Sequence, residues 1–262
     1  MSLLTSLVSY WNLNETSGTR SDAHSTNDLT DNNFVTSNTG ILGNAGQFTR
    51  ADNEFLSHVD NADLSTGDID FTFTAWVYLD DKTTHQRIIT KLNTVGNNRE
   101  YIVGYDLSAN RLFFIVYHDG TGGSATQVDA DNLGSPSTAT WYFVVCWHDA
   151  TANTLNIQVN NGTADSAAHS TGSFDGTATF NIGAQQSANQ WWNGRIDEVG
   201  FWKRTLTAGE KTSLYNSGSG FAYPFTIAST VPRGLSPIGS GVVATTGGGY
   251  SGLHPIEKGF IA

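Results

Sequence analysis

The 262 residues carry 13 Lys and Arg against 24 Asp and Glu, a formal charge of -11, and 38% of them are hydrophobic. That length suits one large all-β domain or a domain with an appendage, and the acidic balance repels phosphate backbones, which argues against nucleic acid while leaving divalent cations open. No run approaches the ~18 apolar residues of a membrane-spanning helix, so no membrane insertion is expected. The single cysteine, Cys146, sits in the apolar run 141–148 and reads as a small buried hydrophobe that allows no intrachain disulfide. The opening Met1–Trp11 lacks the basic, long apolar and cleavage regions of a Sec signal, so none is expected if this is the full product.

The strand signals are short and frequent. Asp60, Asp63, Asp68 and Asp70 precede the first strong one and read as loop. In Phe71–Tyr78, Phe71, Phe73, Ala75 and Val77 share one face and Thr72, Thr74, Trp76 and Tyr78 the other, the two-residue period of a strand. Residues 101–105 and 111–118 flank a hairpin loop at 106–110, and 141–148 and 154–160 flank another at 149–153. In the last of these strands Leu155, Ile157 and Val159 alternate with Asn156, Gln158 and Asn160, a dry face and an amide-rich wet one. Asn161-Gly162 then signals a type I′ turn. His118-Asp119 and His148-Asp149 read as polar residues closing strands rather than as metal or triad pairs.

Trp191 and Trp192 follow the polar loop 185–190. Adjacent strand residues point opposite ways, so one of the pair faces the core at most. The other either stacks on the apolar face of a sugar ring or covers the sandwich edge. Residues 196–218 read as a strand, a basic turn and a short helix, with Thr207 and Glu210 at the spacing of a capping box and Gly218 as C-cap. From Tyr223 the composition changes: four of the 5 prolines lie there, Arg233 is the only charged residue between Pro224 and Ile256, and glycines cluster at 239–249. These features predict a β-sandwich over residues 1–222 and an extended arm over 223–262. Most of the 7 Trp and 14 Phe fill the space between two sheets. The arm carries Tyr223, Pro232, Arg233, Pro237, Tyr250 and Phe260 as candidate contacts with a protein partner; the alternative is a tail that carries nothing.

In series, residues 8–18, 21–29, 43–48, 75–78, 87–91, 141–145 and 193–199 resemble the successive signatures of laminin-G-like domains, members of the concanavalin-A-like lectin-glucanase superfamily with its pentraxin and laminin-G jelly roll. The resemblance runs over roughly residues 7 to 220 and implies the two-sheet jelly-roll sandwich. It also implies first and last strands side by side, with a structural Ca2+ held by Asp22, Asn27 and Asp28 and by Asp197 next to them. The alternative is that Asp22 and Asp28 are turn residues capping local N–H groups. The E-x-D-x-x-E carboxylates of the related glucanases are absent, and Asp197 and Glu198, adjacent on a strand, are expected on opposite faces. A glycoside hydrolase would need a carboxylate pair drawn from loops, where Asp129, Asp131 and Asp175 are the unplaced acids.

The expected function is therefore non-catalytic. One reading is a subunit of a larger particle, such as a phage capsid-decoration, tail or fibre protein at a virion surface, docked on capsid or tail partners through the arm. The other is a carbohydrate-binding module that holds glycans, with glycoside hydrolase as an outsider.

Overall fold

Two antiparallel sheets, one of eight strands and one of seven, carry most of the regular structure in this computed structural model, which describes residues 2–185 and 190–226. In chain order the strands are β1 (Leu7–Trp11), β2 (Thr30–Asn32), β3 (Thr36–Thr39), β4 (Asn44–Phe48), β5 (Phe55–His58), β6 (Phe71–Leu79), β7 (Gln86–Asn93), β8 (Asn98–Asp106), β9 (Arg111–Tyr117), β10 (Ala125–Asp129), β11 (Trp141–Asp149), β12 (Thr154–Val159), β13 (Asp165–Ala168), β14 (Phe180–Ile182), β15 (Ala184–Gln185), β16 (Gln190–Trp191) and β17 (Gly194–Trp202). The eight-stranded sheet runs β13-β12-β11-β6-β17-β4-β3, with β1 also on β17; the seven-stranded sheet runs β10-β9-β8-β7-β14-β5-β2. First and last strands are neighbours, as the jelly roll requires. β15 and β16 form a separate hairpin.

The alternation of apolar residues explains the layering. Phe71, Phe73, Ala75, Val77 and Leu79 on β6 face Leu112, Phe114 and Val116 on β9 across the central core. Phe73 stacks on Phe201 with centroids 4.6 Å apart. The opposite faces of both sheets are also partly apolar. Tyr10, Trp76, Phe143 and Trp202 lie outside the eight-stranded sheet, and Leu92, Ile102, Phe113 and Tyr117 outside the seven-stranded one.

The helix α1 (Ala208–Tyr215) covers the first of these outer faces, and Tyr215 stacks on Trp76 at 5.8 Å. Its capping box is formed in both directions between Thr207 and Glu210. The C-cap is Asn216 (φ 45°), not Gly218: Asn tolerates the left-handed cap, and the chain continues through a 3-10 turn to Gly218. The turn after β12 is likewise one residue earlier than expected. Asn160 and Asn161 take the two left-handed positions (φ 51° and 54°), and the Gly162 amide closes on the Val159 carbonyl at 2.9 Å. The compact unit runs on through Thr226 rather than ending at residue 222, because Phe221, Tyr223 and Phe225 pack on the Tyr10–Trp202 cluster. Of the expected arm contacts, Pro232, Arg233, Pro237, Tyr250 and Phe260 lie outside the described residues. No helix among the described residues is long and apolar enough to cross a membrane.

Candidate functional site

The β15–β16 hairpin folds over the outer face of the seven-stranded sheet. Ile89, Phe180 and Ile182 point into the core, so their neighbours Thr90 and Asn181 point outward, and the Thr90 hydroxyl donates to the Ala184 carbonyl at 2.7 Å. Leu56 faces the core and Phe55 faces out, where Trp191 leans on it with ring centroids 5.5 Å apart. Trp192 is wholly buried in the core, while Trp191 keeps a partly exposed face. The two tryptophans thus divide between core and surface. Beside them the Arg87 guanidinium lies over the Phe113 ring at 5.1 Å and donates to the Gln185 side chain at 3.1 Å. Burial lowers the Arg87 pKa to about 10, so it stays charged at neutral pH. The Asn181 side-chain oxygen is buried without a hydrogen-bond partner. This face therefore carries a partly exposed aromatic ring over buried amide, hydroxyl and guanidinium groups, those of Thr90, Asn181, Gln185 and Arg87.

The loop that carries Asp22, Asn27 and Asp28 makes its own hydrogen bonds. The Asp22 carboxylate accepts the amides of Tyr10 (3.0 Å), His24 (3.0 Å) and Asn27 (3.2 Å), and Asp28 accepts the Asp22 amide (2.8 Å). The Asn27 side chain lies between Ser9 (2.8 Å) and Asn61 (2.7 Å). Asp197 accepts the amides of Ile41 (2.7 Å) and Leu42 (3.2 Å). Calcium wants six to eight oxygens, and several of these carboxylate oxygens already accept backbone N–H groups. Among the described residues no group of three His, Cys, Asp or Glu side chains is gathered for a metal. Asp22, Asp28 and Asp197 each cap backbone amides, while the second Asp197 oxygen, Oδ1, is buried without a partner.

Asp197 and Glu198 do not point to opposite faces. Pairing of β17 with β6 shifts register between Asp197 and Gly200, and Glu198 is left-handed (φ 48°). Ile196 and Val199 both enter the core, so this bulge turns both intervening acids outward. Asp197 pairs in register with Trp76 of the outer cluster. The pair is nevertheless sealed: Asp197 is 0% and Glu198 3% exposed. A Cβ at Gly40 would collide with the Asp197 carboxylate, so only glycine lets that loop close over it. Burial raises Asp197 to about 7, against the pull of the Ile41 and Leu42 amides. Burial and the neighbouring Asp197 raise Glu198 to about 8. Of the expected loop acids, Asp131 pairs with Arg111 at 3.1 Å and Asp129 accepts the Gln127 amide at 2.7 Å.

A two-sheet antiparallel jelly roll with polar and aromatic groups on an outer sheet face defines a lectin-like domain. The chain belongs to the concanavalin A-like lectin/glucanases superfamily, whose Laminin_G_3 family model matches residues 51–210. No curated protein matches the sequence. Among solved structures it is similar to the binding domain of Paraclostridial Mosquitocidal Protein 1 (TM-score 0.67, 14% identity, 83% of this chain and 53% of that one). It is similar also to domain 4 of AbnA, an extracellular arabinanase of Geobacillus stearothermophilus solved with arabinotriose (TM-score 0.57, 15% identity, 79% and 96%). A third is the binding domain of Botulinum Neurotoxin DC in complex with SialylT (TM-score 0.60, 14% identity, 82% and 52%). The chain spans about half the length of the two toxin domains. At these identities the likeness speaks for the fold.

Proposed function

We propose that this chain is a non-catalytic glycan-binding module that holds sugar on the outer face of its seven-stranded sheet. The observation that carries the reading is Trp191, partly exposed on Phe55 over the buried Asn181, Gln185 and Arg87. Stacking on the ring supplies affinity, and the buried Arg87–Gln185 pair beneath it holds the hairpin in place. The arabinotriose bound to the arabinanase domain and the SialylT bound to the neurotoxin domain support a sugar as the ligand of this fold. The non-catalytic part of the reading is supported by Asp197 and Glu198, the one adjacent acid pair on a central strand, which is sealed beneath the loop at Gly40. A glycosidase needs its two carboxyl groups across an open groove.

The test is a titration of the chain with a panel of neutral and sialylated oligosaccharides. Trp191→Ala should weaken the best ligand by about tenfold or more with an unchanged melt, as loss of a central aromatic anchor does. Undiminished binding by that variant removes this face from the function, and turnover of any glycan by the chain overturns the non-catalytic part.

A second reading is kept because Tyr223 and Phe225 anchor the start of the C-terminal segment: Tyr223 stacks on Tyr10 at 5.5 Å and Phe225 meets it edge-on at 5.0 Å. From there residues 227–262 carry few charges and many apolar and glycine residues. Such a segment gains by lying on another protein. In this reading the module is a subunit of a larger assembly, such as a phage capsid, tail or fibre, and presents the sugar site from it.

A further inference from the structure

Between β2 and β3 the chain crosses from one sheet to the other through two successive left-handed residues, Asn33 (φ 65°) and Phe34 (φ 67°). A bulky aromatic seldom takes this backbone, and its surroundings hold it there. The Asp31 carboxylate accepts the amides of Gly18 (3.0 Å) and Val35 (2.9 Å), the Asn33 side chain donates to the Asn53 carbonyl (2.8 Å), and Val35 is buried in the core. The outcome is a phenyl ring with 84% of its surface exposed, the most exposed large hydrophobic side chain among the described residues. A constrained backbone that serves to hold an apolar ring in water points to a ligand rather than to packing.

Phe34 stands as a ridge between two open depressions. One is lined by Ser17, Gly18, Asp31 and Asn33, the other by Asn33, Thr36, Asp52, Asn53 and Glu54. We propose that this corner is a second sugar site, in which Phe34 stacks on the C–H face of a neutral pyranose and Asn33, Asp52 and Asn53 take its hydroxyls. The proposal rests on the glycan-binding reading and adds the place and the ligand class.

The charge around the ring selects neutral sugars. Asp31, Asp52 and Glu54 line the depressions. Arg20 is fully buried, donates to the carbonyls of Gly18 and Val35 and lies 3.9 Å from Asp31, so it offers nothing outward. Carboxylates repel sialic and uronic acids and accept hydrogen bonds from neutral hydroxyls. Phe34 is also a single exposed ring rather than part of a broad apolar patch, which does not suit a protein interface.

Phe34 and Trp191 belong to different elements, so each ring can be removed alone. The full chain and its Phe34→Ala, Phe34→Tyr and Trp191→Ala variants are run by affinity electrophoresis through neutral polysaccharides and titrated with gluco-, galacto- and arabino-oligosaccharides, with sialyllactose as acidic probe. Phe34→Ala should lower affinity for a neutral ligand about tenfold with an unchanged melt, and Phe34→Tyr should restore it. If Phe34→Ala binds every probe like the parent while Trp191→Ala is weakened, the second site is overturned and the glycan reading stands. If the parent binds nothing, both fall. Weakening confined to sialyllactose overturns the neutral class, and a loss of self-association with unchanged sugar binding makes the corner a contact between copies and overturns the proposal.

Discussion

Two adjacent carboxyl groups buried under one loop make the fold sensitive to pH in a direction unusual for acids. Asp197 and Glu198 are held near 7 and 8 by burial, above the ordinary values of about 3.9 and 4.3. In this range the native state binds more protons than the unfolded chain, so their contribution is full below about pH 4 and is lost as pH rises through about 7 and 8. Each raised group lowers stability by about 1.4 kcal/mol per pH unit between its two values. The melting temperature should therefore fall from pH 5 to pH 8, and Glu198→Gln should fall less steeply; equal slopes for the two proteins would rule the mechanism out. His169, which burial pushes down, works the other way below its ordinary value and is unchanged in that comparison. Neither the acid pair nor the buried ammonium of Lys91, which meets Glu100 at 2.5 Å and Asp60 at 2.9 Å, was legible in the sequence. Adjacent acids read as opposite-facing until a bulge is known. Likewise, Lys91 gains its partner only once β7 pairs with β8. Phe34 carried one faint signal, an aromatic alone in an Asn- and Thr-rich stretch.

At the scale of elements, α1 depends on its first turn. Thr207 accepts the Glu210 amide, and Glu210 both caps the Thr207 amide (2.9 Å) and holds Arg204 (2.8 Å). Thr207→Ala should cost about 1 kcal/mol, read as a lower denaturant midpoint at unchanged slope; Thr207→Ser should recover most of it. Full retention of stability in the alanine variant would show that tertiary packing of Leu214 and Tyr215, not the cap, holds the helix. This element was plain in the sequence because its cap is a local motif. The long strands were plain for a similar reason: β6 and β12 alternate with period two, and β8, β9 and β11 are apolar runs bounded by polar turns. The short ones were not: Thr36–Thr39 on β3 has no apolar face, and Phe180–Ile182 on β14 has too few residues to show a period. They exist because β4, β5 and β7 offer them hydrogen bonds. The aromatic half of the candidate site was legible at Trp191-Trp192. The buried polar groups beneath it, Arg87, Gln185 and Asn181, come from strands distant in sequence and are assembled only by the sheet.

For the molecule as a whole, the sandwich and its terminal segment separate at Thr226. A chain ended there keeps Phe221, Tyr223 and Phe225 on the outer cluster, whereas one ended at Gly220 loses these three rings and leaves α1 as its cover. The first truncation should melt like the parent and keep its sugar affinity, yet fail to enter any native assembly; normal incorporation, followed by sedimentation of particles from the native source, would end the subunit reading. The same cluster has a geometric consequence. Leu3 accepts the indole hydrogen of Trp202 at 2.7 Å, and Leu3 and Leu7 share their packing with Phe221 and Phe225. Both ends of the described sandwich thus pack on the outer face of the eight-stranded sheet, whereas Trp191 lies on that of the seven-stranded one. A sugar held at Trp191 as proposed would therefore face away from the side on which residues 2–226 begin and end.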